Sequence, residues 1–357
     1  MCDRNLVNFK RSVIAPAYIA EEAFEMRINK VKNSLGRTFN AFVAPFILAA
    51  SGEVLYGGQA VINGVMMRGE KNWAVAVRKE DGSIAIKTEP LKQAVYTHPF
   101  FKLPFVRGVV ILIEALHLGV GALLWSASER GRDNDIELSK RGITITLAIS
   151  LTFSISLFFG VPLLISYAVQ HAFGLSSLGA NLVDGVVRAA LLFGYLGVIR
   201  LMPDVKIMWG YHGAEHKSIH NHEAHLPLEV INARTFSRIH PRCGTTFMVL
   251  VVLVSVVVFS AIGRPSIAVV ALSRIVLVPV IAGIAYEILR FGANHRDNIL
   301  LSKILLPTRV AQLLTTSEPS DEQLEVAIAA LKEVVPVVAV VPDRNVAILD
   351  EPVLVTA

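Results

Sequence analysis

The sequence predicts a mainly α membrane protein with about four transmembrane helices, one re-entrant or interfacial helix, and a small β-rich cytoplasmic N-terminal unit. Three observations carry this reading. Hydrophobic residues fill 53% of the 357 positions, above the roughly 45–50% of soluble domains. Four apolar runs, residues 143–170, 182–202, 245–262 and 265–289, reach or approach the ~20 residues a helix needs to cross the hydrocarbon layer. Lys and Arg gather in the long intervening segments, and the short ones, 171–181 and 263–265, hold only Arg264.

That asymmetry sets orientation. The positive-inside rule places residues 126–142, 203–244 and the C-terminal region in the cytoplasm and the short turns outside. Both termini are then cytoplasmic, in a multi-pass protein of the cytoplasmic (inner) membrane, and the number of crossings is even. A fifth apolar run, residues 104–126, carries Arg107, Glu114 and His117, and parity makes it re-entrant or interfacial. The net charge of +5 comes from membrane-flanking Lys and Arg, whose partners are the lipid bilayer and its anionic headgroups. No base-stacking surface or nucleic-acid module is present, so no nucleic-acid partner is expected.

Along the chain, residues 1–52 form an arm, partly helical or mobile. Residues 53–103 form the β-rich unit, where β-branched alternation at 73–78 and 83–87 flanks Glu80-Asp81-Gly82, a hairpin signal. The membrane helical domain spans 104–310 and includes a His-rich cytoplasmic loop at 203–244. Residues 311–335 hold an amphipathic helix from Asp321 to Val334, opened by a Ser320/Gln323 capping box. Residues 336–357, broken by Pro342 and Pro352, form an irregular tail.

The loop carries the chemistry. Five of the ten histidines lie in "MWGYHGAEHKSIHNHEAH", residues 208–225. Within it His212-Gly-Ala-Glu215-His216 matches H-x-x-E-H, the inverted zinc-protease pattern. On a helix, i and i+4 share a face, so both imidazoles reach one metal while Glu215 stands beside them as general base. His240-Pro-Arg-Cys243 follows before the next apolar run, and its nitrogen and thiolate both suit a divalent metal, foremost Zn²⁺. Two cysteines in a reducing compartment argue against a structural disulfide and leave Cys243 available. His220, His222 and His225 read as solvated loop residues. Asp184 and Arg188, at i and i+4, read as a neutralising pair, and Glu287 as a helix-end charge or partner of Arg290 rather than a ligand. In "YGGQAVINGVMMRG", Gln59, Asn63 and Arg68 are polar points in a glycine-spaced frame, available to a substrate or to a tight structural loop.

The blocks "GGQAVINGVMMRG", "YHGAEHKSIH", "HPRCGTTF" and "LTTSEPSDEQLEVAIAAL" together resemble the YqhQ-like family of bacterial multi-pass membrane proteins of unknown function, described as predicted metal-dependent enzymes. The resemblance implies a metal site and places His212, Glu215 and His216 on one family block and His240 and Cys243 on another. Asn63 stands where the family's first block has glutamate.

Two functional classes follow. The first is a metal-dependent hydrolase with a cytoplasm-facing site, acting on a membrane-associated protein or lipid-linked substrate. The second is a non-enzymatic, metal-stabilised membrane assembly or insertion factor.

Overall fold

The computed structural model describes residues 56–91, 98–133, 139–264, 266–295, 298, 303 and 305–336. The arm expected at 1–52 and nearly all of the expected tail lie outside the described residues. Strands β1 (Gly57–Val61), β2 (Gly64–Arg68), β3 (Asn72–Arg78) and β4 (Ile84–Pro90) form an antiparallel meander in chain order. The β3–β4 turn is the predicted hairpin: Gly82 takes φ 84°, and Asp81 Oδ1 accepts from the Ser83 N–H at 2.8 Å. Asn63, at φ 52°, occupies the two-residue β1–β2 turn, a conformation asparagine tolerates.

Helix α1 (Val106–Asp133) follows, then α2 (Lys140–Ile155) and α3 (Val161–Phe173), continuous through a π turn at Ser156–Gly160. Next come α4 (Ser177–Ile199), α5 (Pro203–Glu223), the single turn α6 (Val230–Ala233) and α7 (Gly244–Ile262). The last are α8 (Ile267–Val276), α9 (Val278–Asn294), α10 (Leu306–Thr315) and α11 (Asp321–Lys332). Helix α11 opens with the Ser320/Gln323 capping box.

Four helical stretches are long and apolar enough to cross a membrane: α1, α2 with α3, α4, and α7. They differ from the expected set in two places. The 265–289 run is not one helix but α8 and α9, bent by 49°, because Pro279 in the first turn of α9 has no N–H to continue the ladder. The 104–126 run, expected to re-enter or lie flat, is one unbroken helix from Val106 on, without the mid-run break of a re-entrant loop.

The two ends of the bundle differ in character. At one, the α3–α4 and α7–α8 turns meet: the Arg264 guanidinium donates to Asn181 Oδ1 at 3.0 Å, Gln170 Oε1 at 3.2 Å and Ser166 Oγ at 2.7 Å. At the other, the sheet is sandwiched between helices. Val65, Met67, Ala74 and Ala76 pack on Tyr211 and Ile219 of α5 and on Leu324, Ala327 and Leu331 of α11. Val61, Met66, Trp73 and Val75 pack on Leu118 and Ala122 of α1. Successive side chains of a strand point to opposite faces, so the near-continuous apolar runs of β2 and β3 reflect burial on both.

Candidate metal centre

Helix α5 builds the site. Pro203 at its first position supplies a preset φ and gives up no hydrogen bond. Two of its glycines let the 315–323 segment come close: a Cβ at Gly213 would lie 2.2 Å from Ser317 O, and one at Gly210 2.3 Å from Gln323 Oε1 at the start of α11. That approach brings the Thr315 carbonyl to His212, whose Nδ1–H donates to it at 2.8 Å. The His216 Nδ1–H donates likewise to the Arg238 carbonyl at 2.6 Å. Each bond puts the proton on Nδ1 and leaves Nε2 with its lone pair, the tautomer a metal-binding imidazole needs.

The two Nε2 atoms converge with Cys243. His212 Nε2 lies 3.2 Å from Cys243 Sγ, and the ligand atoms of His212, His216 and Cys243 all fall within 4.8 Å of one another. Cys243 is the N-cap of α7, where the Thr245 N–H donates to Sγ at 3.3 Å. His216 Nε2 is buried without a hydrogen-bond partner, a costly state for a polar atom that a cation would relieve. Burial lowers the pKa of His216 and so favours the neutral imidazole.

Glu215 stands between the histidines, its Oε2 3.8 Å from both Nε2 atoms. Burial pushes its carboxyl up to about 7, against the opposing pull of His212 and of a hydrogen bond from the Gly58 N–H. Strand β1 thus forms a wall of the site. A Cβ at Gly58 would sit 2.5 Å from Met66 O and 2.9 Å from Glu215 Cγ, and the backbone oxygen cannot yield. Gly58→Ala is expected to cost about 1–3 kcal/mol, as overpacking does, seen as a lower thermal midpoint in detergent. Gly57→Ala, with nothing within 4 Å of its Cβ, is the control and should change little.

The expected partners divide differently in space. His240 does not join the first three but falls with His220 and Glu223 in a second group. Gln312 of α10 holds the His240 backbone from both sides, accepting from its N–H at 2.9 Å and donating to its carbonyl at 3.0 Å. His220 and His222, expected as loop, lie in the last turn of α5, and His225 follows it at φ 56°.

Gln59, Asn63 and Arg68 point elsewhere. Gln59 Oε1 crowds Gly119 of α1, and Arg68 Nε donates to Glu114 Oε2 at 3.0 Å. Gly58 and Gln59 are adjacent on a strand, so they face opposite sides. Asn63 lies past the end of β1 at Val61 and serves the turn. Glu287 pairs with Arg107, not Arg290. The Asp184–Arg188 pair forms at 2.9 Å, and Arg274 joins it at 3.6 Å.

Sequence reasoning passed over Gly58, Gln312, Thr315 and Glu223. Only Glu223 had a signal, its i+3 spacing from His220 on the same helix.

Fold and cluster together define a mostly helical protein with membrane-capable helices and His/Cys/Glu groupings that can hold a metal ion. The chain belongs to the DUF1385 family, proteins of unknown function, whose model matches residues 103–337. It is 33% identical over 291 residues to the uncharacterized protein YqhQ of Bacillus subtilis, covering 78% of this chain and 91% of that one. No solved structure matches it.

Proposed function

We propose that the protein is a membrane-embedded, zinc-dependent hydrolase whose site lies at the cytoplasmic membrane face. The observation that supports this best is the placing of the buried Glu215 carboxyl 3.8 Å from two lone-pair imidazole nitrogens. His212, His216 and Cys243 would hold the ion, and an N₂S donor set suits zinc. When bound, zinc supplies Lewis-acid polarisation of a carbonyl or phosphoryl oxygen. Beside that ion, Glu215 would take a proton from an attacking water and return it to the leaving group.

The substrate is membrane-associated, a protein or a lipid-linked molecule. Helix α1 supports a site at the bilayer surface. Its second half lies along the sheet, held by Leu118, Ala122 and a 3.2 Å bond from the Ile62 N–H to Ser126 Oγ, while Ile113 and Leu116 are exposed. A helix fixed along the sheet, with an apolar face turned outward, suits the interfacial zone better than a crossing. With the bent α8–α9 pair as one broken span, α2 with α3, α4, α7 and that pair would cross four times and return both termini to one side.

A structural site is the second reading. Glu215 at 3.8 Å from both nitrogens is near the ~3.3 Å edge of a zinc tetrahedron, so it could close the site as a fourth ligand. Cobalt substitution of the purified protein separates the readings. Wild type is expected to show sulfur-to-cobalt charge transfer, and His212→Ala with His216→Ala to abolish it. A catalytic Glu215 predicts that Glu215→Gln keeps cobalt affinity, and a ligating Glu215 predicts that it weakens. Wild-type protein without the sulfur-to-cobalt band would sink both.

A further inference from the structure

We propose that the site takes two cations, the second a first-row divalent ion held by His220, Glu223 and His240. This extends the metal reading above, and each site can fail alone in the test.

The ligand atoms of these three residues lie within 4.8 Å of one another. Their site adjoins the first through a row of imidazoles: ring centroids are 4.5 Å apart for His212 and His216, 5.6 Å for His216 and His240, and 4.6 Å for His240 and His220. The row follows from the sequence, because positions 212, 216 and 220 recur every four residues and stay on one helix face. His220 and Glu223 are at i and i+3 in the last turn of α5, so both reach the same point.

The protonation pattern suits ligation. His220 Nε2–H donates to the Ile239 carbonyl at 3.0 Å, which leaves Nδ1 as its lone-pair nitrogen. His240 Nε2 is 3.5 Å from Glu223 Oε1. Ligation through that nitrogen would put the proton on Nδ1, in place of the 3.4 Å contact from the Arg242 N–H. The Arg242 guanidinium contacts the same Glu223 oxygen and supplies the positive charge that a metal would supply in its place.

A cleft of about 620 Å³ reaches His220, lined by Ile239, Thr246, Leu289, Leu305 and Leu313 among others. Its apolar walls and imidazole end suit a substrate with a hydrocarbon part and a hydrolysable polar head.

Cobalt(II) titration of the full-length chain in detergent tests this. Two equivalents are expected, only one with a sulfur-to-cobalt band, since only the first site has a thiolate. His220→Ala with Glu223→Gln should remove one equivalent and keep the band, and His212→Ala with His216→Ala should do the reverse. A single equivalent carrying the band overturns the second site and leaves the first standing. Two equivalents that survive His220→Ala with Glu223→Gln overturn it as well. Arg242→Gln, which leaves every ligand in place, should tighten the second equivalent several-fold, and an unchanged or weaker second equivalent counts against the proposal even if the ligand variants do not fold.

Discussion

Arg107→Ala is expected to destabilise the protein by about 3–5 kcal/mol, the range for removing one partner of a buried ion pair. Arg107 and Glu287 are 9% and 1% exposed, and the guanidinium meets the carboxylate with two nitrogens, Nε to Oε1 at 2.7 Å and Nη2 to Oε2. The Phe105 N–H adds a third bond to Oε1 at 3.2 Å. Without the arginine, a carboxylate is left buried between α1 and α9. Gly283 lets the Phe105 backbone come this close, since a Cβ there would lie 2.8 Å from Phe105 O. Arg107→Met with Glu287→Leu should recover most of the loss, because an apolar pair of similar volume carries no desolvation cost. Arg234→Ala is the comparison: its partner Asp321 and Arg234 itself are over half exposed, and such pairs contribute ~0–1 kcal/mol. Equal shifts in thermal midpoint for the Arg107 and Arg234 variants would refute the difference.

In metal-free protein the Glu215 carboxyl is expected to withdraw about 3 kcal/mol of stability as the pH rises from about 4.5 to about 7. The Glu215 carboxyl is raised from 4.5 to about 7 in the folded state. The unfolded chain therefore releases that proton first, and between the two values the native state holds one proton more. Stability from this group is complete below pH 4.5, falls through the window, and is level above 7. At ~1.36 kcal/mol per pKa unit, the difference between those values gives the stated size. His216, lowered by burial, acts in the opposite sense, losing stability as the pH falls. Comparison with Glu215→Gln isolates the carboxyl because both proteins keep His216. The variant should lack the fall and melt above wild type at pH 8. Parallel midpoint-versus-pH curves for the two metal-free proteins would show that Glu215 ionises normally.

Local signals were legible because they depend on short spacings. The Ser320/Gln323 box, the Glu80-Asp81-Gly82 turn and the i, i+4 pair His212/His216 each involve residues within five positions, where helix or turn geometry decides the contact. Glu287 was different: its partner is 180 residues away, and the nearer Arg290 attracted the assignment. Cys243 and His240 are three residues apart, yet they enter different clusters, because Cys243 begins α7 while Gln312 holds the His240 backbone aside. The strand residues Gln59 and Arg68 were singled out for polarity, but polarity does not say which face of a sheet meets the site. Gly58, with no side chain to notice, supplies the N–H that reaches Glu215.

The sandwich imposes an order on biosynthesis. The sheet ends at Pro90, but the residues that cover one of its faces include Leu324, Ala327 and Leu331. A ribosome adding ~5–20 residues per second reaches Leu331 roughly 10–50 s after Pro90, and until then Val65, Met67 and Ala76 lack part of their cover. The same delay governs the first cluster: His212 acquires its orienting carbonyl only when Thr315 has been made. A nascent chain therefore carries His212 for roughly 5–20 s before the carbonyl that orients its ring is made, whereas His216 meets the Arg238 carbonyl only 22 residues after its own synthesis.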